Sequence, residues 1–164
     1  MKKLIKKISL VGGIILTLTA CKEERKDKVI TTPEITFQKD GELYFISAEK
    51  DTLKHLEIET AVSSYEQQTG LMYRKQMQEN RGMLFIYDNE TPRPNFYMKN
   101  TYIPLDLIYI NSNNTVVDIN REAKPLDESP IPSQAPAKYV LEINGSKAQE
   151  WNISKGDSII LHLD

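Results

Sequence analysis

The stretch that decides the fold is residues 105–119, LDLIYINSNNTVVDI. Leu105 to Ile110 is apolar apart from Asp106, and Thr115 to Ile119 is rich in β-branched residues. Asn111 to Asn114 lies between them as a turn. Two short β-prone runs about an Asn-rich turn read as two strands rather than a helix. Pro104 cannot donate to a strand ladder, so the first run begins at Leu105.

Outward from there the same grammar repeats. Upstream, Phe96 to Met98 reads as a short strand, and Asp88 to Asn95 as a loop carrying Pro92 and Pro94. Gly82 opens a strand over Met83 to Tyr87. Ser63 and Glu66 form a capping box and Gly70 a stop, which predicts a helix over Ser64 to Thr69. Leu56 to Val62 alternates apolar and polar residues, as a half-exposed strand does. Ile35 to Phe37 and Leu43 to Ile46 read as a hairpin about Asp40-Gly41. Downstream, Pro125 to Pro136 holds four of the eight prolines, a stiff loop with a covering or functional use. Tyr139 to Ile143 and Ser158 to Leu163 are strands, Ser146 to Asn152 a short helix, and Lys155-Gly156-Asp157 a turn. Many short strands with two short helices predict a mainly β domain, an antiparallel β-sandwich or barrel. An open α+β sheet is the alternative.

Residues 70–106 read GLMYRKQMQENRGMLFIYDNETPRPNFYMKNTYIPLD. The pieces Gly70-Leu71-Met72 with Arg74, Gly82-Met83-Leu84-Phe85, Met98-Lys99-Asn100-Thr101 and Pro104-Leu105-Asp106 resemble the core signature of the bacterial and archaeal family called domain of unknown function 192. The resemblance covers about residues 55–163 and leaves the first hairpin outside. It implies no settled activity, but it implies that these polar positions form a site. Two departures stand out. Phe96-Tyr97-Met98 replaces an aromatic pair ending in Trp, and Asn144-Gly145-Ser146 replaces an Asn-Ala-Gly run. The first bears on a pocket wall; the second falls in a turn.

Strand alternation would put Met98 and Asn100 on one face, and Lys99 and Thr101 on the other. Asp106 and Glu142 each interrupt an apolar strand. A buried carboxylate there needs a cation or backbone donors. Arg74 and Lys99 are the cations within the motif. The functional expectation is one cluster of Arg74, Lys99, Asp106 and Glu142 beside Asn100 and Thr101, with Met72, Met83 and Met98 as pocket walls. Its cations would hold an anion, and Asp106 or Glu142 could act as a general base. The competing expectation is a salt-bridge network that pins the strands. Methionines can bind copper(I), but there is no Met-x-x-Met run, and His55 and His162 lie at the edges; no metal site is expected. No Ser-His-Asp set, Gly-rich phosphate loop or cofactor motif is legible. Trp151 reads as a core residue.

The amino terminus is a processing signal. Lys2, Lys3, Lys6 and Lys7 precede an apolar run from Ile8 to Leu18, too short for a membrane span of ~20 residues. Leu18-Thr19-Ala20-Cys21 resembles a lipobox, so Cys21 is expected to carry lipid after residues 1–20 are removed. Cys21 is the only cysteine, which excludes disulfides and thiol chemistry from the remaining domain. Residues 21–34 are a polar tether and 35–164 one β-rich domain. Lys22-Glu23-Glu24 resembles a surface-export signal, so the expected location is the outer membrane, facing the periplasm or the outside. Removing four lysines from 21 basic residues leaves 17 against 23 acids, a formal charge of −6. That balance argues against nucleic acid as a partner. The expectation is a membrane-tethered module that binds a small anionic ligand or a peptide. A hydrolase acting on envelope material and a structural or assembly partner are the alternatives.

Overall fold

A computed structural model describes residues 35–164; the expected signal peptide, Cys21 and the expected tether lie outside the described residues. Seven strands and two short helices follow in the order β1 (Gly41–Ile46), β2 (Thr52–Ala61), α1 (Ser64–Thr69), β3 (Arg81–Thr91), β4 (Leu105–Ile110), β5 (Val116–Ala123), β6 (Ala137–Asn144), α2 (Lys147–Glu150) and β7 (Ser158–Leu163). They form one sheet in the order β5-β4-β6-β3-β2-β1-β7. The protein is mainly β, as expected.

Every neighbouring pair is antiparallel except β2 and β3, so the sheet is mixed. The reason is local. Parallel strands need a crossover, and α1 with residues 70–80 supplies it. The sheet is not closed into a barrel. Its edge strands approach at one end only, through the isolated bridge Thr115–Ser158 and the bond from Ile159 N–H to the Asn114 carbonyl at 2.8 Å.

Two expected strands do not form, and a third, expected to end at Tyr87 before a loop, runs on to Thr91. The first hairpin pairs Gly41–Ile46 with Thr52–Ala61, and Ile35 to Phe37 forms no strand. The chain turns between Ser47 and Asp51, where Lys50 takes a positive φ and Ser47 N–H donates to the Asp51 carbonyl. Asp40 is diverted from turn duty, because its carboxylate accepts from Thr60 N–H at 2.8 Å. Phe96 to Met98 is no strand either. Phe96 alone bridges to Ile131, and Met98 to Thr101 is a turn closed by Thr101 N–H on the Met98 carbonyl.

Both faces of the sheet centre are buried, and all six residues of β4 are inaccessible. Ile108, Ile110, Leu84, Leu141 and Ile143 point to one face, where Ala148, Trp151 and Ile153 cover them. Trp151 is core there, with the Lys54 ammonium 4.4 Å from its ring centroid. Leu107, Tyr109, Met83, Phe85 and Val140 point to the other face, under Leu71, Met98 and Ile103. No helix covers this second core completely. Loops do, and the site forms among them.

Candidate functional site

The site begins with α1 and its stop. Ser63 caps the helix by accepting from Glu66 N–H, and Glu66 accepts from Ser63 N–H, which completes the box. Gly70 has φ +45°, and an added Cβ would lie 2.9 Å from Phe85 Cζ and 3.9 Å from Glu142 Oε2. The glycine therefore lets the chain turn over the sheet at the mouth of a cavity. Residues 92–101 form the opposite wall. They are held by residues 126–133: Ser133 N–H donates to the Arg93 carbonyl, Ile131 N–H to Phe96, Met98 N–H to Asp127 and Leu126 N–H to Thr101. The proline-rich loop is thus a cover that fixes the wall.

Between the walls lies a cavity of about 340 Å³. Gln67 and Met72 line one side, Phe85 and Tyr87 the base, and Arg93, Phe96 and Tyr97 the other side. Glu142 and Thr101 reach it from β6 and the Met98–Thr101 turn. Phe85 and Phe96 meet edge to face, with centroids 5.2 Å apart.

Glu142 is the unusual group. It is 5% exposed, lines the cavity, and its carboxyl makes no hydrogen bond to another side chain or backbone group among the described residues. Met83 and Leu107 flank it across the sheet. Burial pushes its carboxyl up to about 8. No cation stands close enough to offset that burial, so the acid is protonated at neutral pH.

The expected cluster of four charges does not form. Directly paired residues share a face, and Asp106 pairs with Ile143 while Glu142 pairs with Leu107. The two acids therefore point to opposite sides of the sheet. Asp106 is fully buried and accepts from three backbone N–H groups: Glu122 at 2.8 Å, Ser146 at 3.2 Å and Ala148 at 2.8 Å. It takes the part of a helix cap for α2, whose own Ser146 makes no side-chain cap. Arg74 lies on the same side as Glu142 but pairs with buried Glu59, Nη2 to Oε2 at 2.6 Å, its own side chain 10% exposed. That pair pins residues 71–74 to β2. Lys99 is exposed and stands 3.9 Å from Glu128.

Asn100, with φ +54°, donates to the Tyr73 hydroxyl at 2.9 Å. Because Met98 to Thr101 is a turn, Met98 and Thr101 go inward and Lys99 outward; strand alternation does not apply. Of the three expected wall methionines only Met72 lines the cavity. Met83 and Met98 are core. The expected cationic clamp for an anion thus has neither Arg74 nor Lys99 at the cavity.

Sequence reasoning missed Gln67, Phe85, Tyr87 and Arg93, whereas Phe96 and Tyr97, expected to bear on a pocket wall, do line the cavity. One signal was present, an Arg held between Pro92 and Pro94. Arg93 lays its guanidinium 3.7 Å from the Tyr87 ring centroid and donates to the Ala137 carbonyl at 2.9 Å and to that of Asn89. Among the described residues no group of three His, Cys, Asp or Glu side chains could hold a metal, and no helix is long and apolar enough to cross a membrane.

Comparison with known proteins bears on these residues. The chain is similar to a protein of Sinorhizobium meliloti 1021, provisionally labelled a transcription regulator, whose crystal structure is known. Identity is 36% over 79% of this chain and 98% of that one, with a TM-score of 0.72. It is also similar to a protein of unknown function from Novosphingobium aromaticivorans DSM 12444, at 34% identity over 73% of this chain and 83% of that one, with a TM-score of 0.68. No curated protein matches the chain. The model of domain of unknown function 192, described as an uncharacterised ACR, matches residues 45–161, beginning inside β1 rather than after the first hairpin. On that match, which spans most of the sheet and every wall of the cavity, the chain belongs to the domain of unknown function 192 family.

Proposed function

We propose that the protein is a lipid-anchored binding module, and that the cavity beside Glu142 takes a small molecule or the end of a peptide. The observation that carries this reading is Glu142 itself. A carboxyl buried in an apolar setting without a partner is costly, and a cavity against it leaves room for a ligand to satisfy it. Nearly every other buried charge in the domain is engaged: Asp106 by three backbone donors and Glu59 by Arg74. The test is native mass spectrometry of the purified full-length chain. A co-purifying small molecule should be present in the wild type and lost in Glu142→Leu. A wild type free of bound molecules, with no response to a fragment library at Phe85, Tyr87 or Phe96, would refute the reading.

The anchor is the second half of this proposal. Cys21 carries lipid and residues 21–34 tether the domain to the outer membrane, on its periplasmic or outer side. Cys21→Ser should abolish fatty-acid labelling and release the protein from membranes. A regulator of transcription fits this chain poorly, since residues 21–164 have a formal charge of −6.

One observation favours an enzyme as the second reading. A carboxyl held near 8 inside a cleft is suited to general acid–base catalysis at neutral pH. Acting on envelope material, such an enzyme would lose turnover in Glu142→Gln while keeping its fold.

A further inference from the structure

We infer that the group recognised by Glu142 is an ammonium, so that the cavity takes an amine carried on a small apolar body. This rests on the binding reading above and names its ligand chemistry. Three features of the cavity point the same way.

The first is the supply of charge. Anions need a free cation or several free donors. Among the described residues Arg93 is the only cation lining the cavity, and its guanidinium is engaged by the Tyr87 ring and the carbonyls of Ala137 and Asn89. Arg74 is held by Glu59, and Lys99 stands outside beside Glu128. The charged group left without a partner is an acid.

The second is the wall chemistry. Phe85, Tyr87, Phe96 and Tyr97 bring four aromatic rings to one small space. Aromatic faces attract organic cations, most strongly where water is excluded. Aromatic rings about one carboxylate suit an ammonium and offer little to a carboxylate or phosphate.

The third is the proton account. Glu142 enters the encounter protonated at neutral pH, and so does the amine. On binding, the acid gives its proton to solvent, and the carboxylate pairs with the ammonium in a charge-assisted hydrogen bond. One proton is released per ligand below about pH 8. The ionisable groups that face Glu142 are phenols or ions with partners of their own. Tyr87 from β3 and Tyr109 from β4 are phenols pushed up by burial, Arg93 comes from the facing loop, and Glu59 on β2 is occupied by Arg74.

The test is calorimetric titration of the full-length chain at pH 6.5 with 2-phenylethylamine, 2-phenylethanol and phenylacetate, in two buffers of different ionisation enthalpy. The amine should bind at least tenfold more tightly than the other two and release close to one proton, and the release should vanish above pH 9. Glu142→Gln should abolish both the preference and the proton release. If that variant does not fold, the buffer dependence of the wild type still decides. Phenylalanyl-alanine binding only with a free amino group would assign the amine to a peptide terminus; binding of phenylethylamine alone would assign it to a free amine. Preference for phenylacetate, with no proton released, would overturn the ammonium while leaving a binding pocket. No binding by any probe would overturn both.

Discussion

Replacing Glu142 by Gln should change how stability depends on pH, and the size of the change follows from the burial of the carboxyl. Its ordinary value is 4.5, and the fold holds it at about 8. Below pH 4.5 the acid is protonated in both folded and unfolded chains and costs nothing. Between 4.5 and about 8 the unfolded chain sheds the proton while the folded chain keeps it, so stability falls as pH rises. Above about 8 both forms are ionised and the full cost persists. Each pH unit in that window costs about 1.4 kcal/mol, so the whole effect is at most about 5 kcal/mol, reduced by any water the cavity admits. A domain of this size is stable by only about 5–15 kcal/mol, so the effect is easily read. Urea denaturation of wild type and Glu142→Gln at intervals from pH 5.5 to 8.5 measures it. The amide adds a constant cost for its own burial, but that cost does not vary with pH. The difference between the two profiles should therefore move in favour of the variant by about 1 kcal/mol per unit. Parallel profiles would refute the reasoning, because they would mean that Glu142 is solvated or paired in the folded chain.

Asp106→Ala should cost about 4 kcal/mol or more, because it strands the N–H groups of Glu122, Ser146 and Ala148; Asp106→Asn should cost less, and urea midpoints rank the two. Arg74→Met should cost about 3–5 kcal/mol by leaving Glu59 buried and unpaired, and adding Glu59→Gln should recover part of the loss in a double-mutant cycle. Lys99→Met should change stability by no more than about 0.5 kcal/mol and leave binding of an amine probe within twofold, as measured by thermal denaturation and calorimetry.

Much of the sheet was legible in the chain. Leu105 to Ile110 and Ser158 to Leu163 could be bounded to the residue, since Pro104, the Asn-rich turn and Lys155-Gly156-Asp157 mark their ends. The helix over Ser64 to Thr69 was equally plain, because its cap and stop are short-range chemistry. That Asp106 and Glu142 each need an explanation was also visible, as each interrupts an apolar run. Which strand pairs with which was not written locally. The chain order says nothing about β6 entering between β3 and β4, and that insertion decides what faces what. Side chains alternate along a strand, so the register of β6 on β4 put Glu142 opposite Leu107 and Asp106 opposite Ile143. One acid thereby met the backbone donors at the start of α2, and the other met the cavity lined by Phe85, Phe96 and Thr101. Residue type announced two buried carboxylates; only tertiary pairing, acting through the two-residue period of the strand, determined which became a structural anchor and which came to face the cavity.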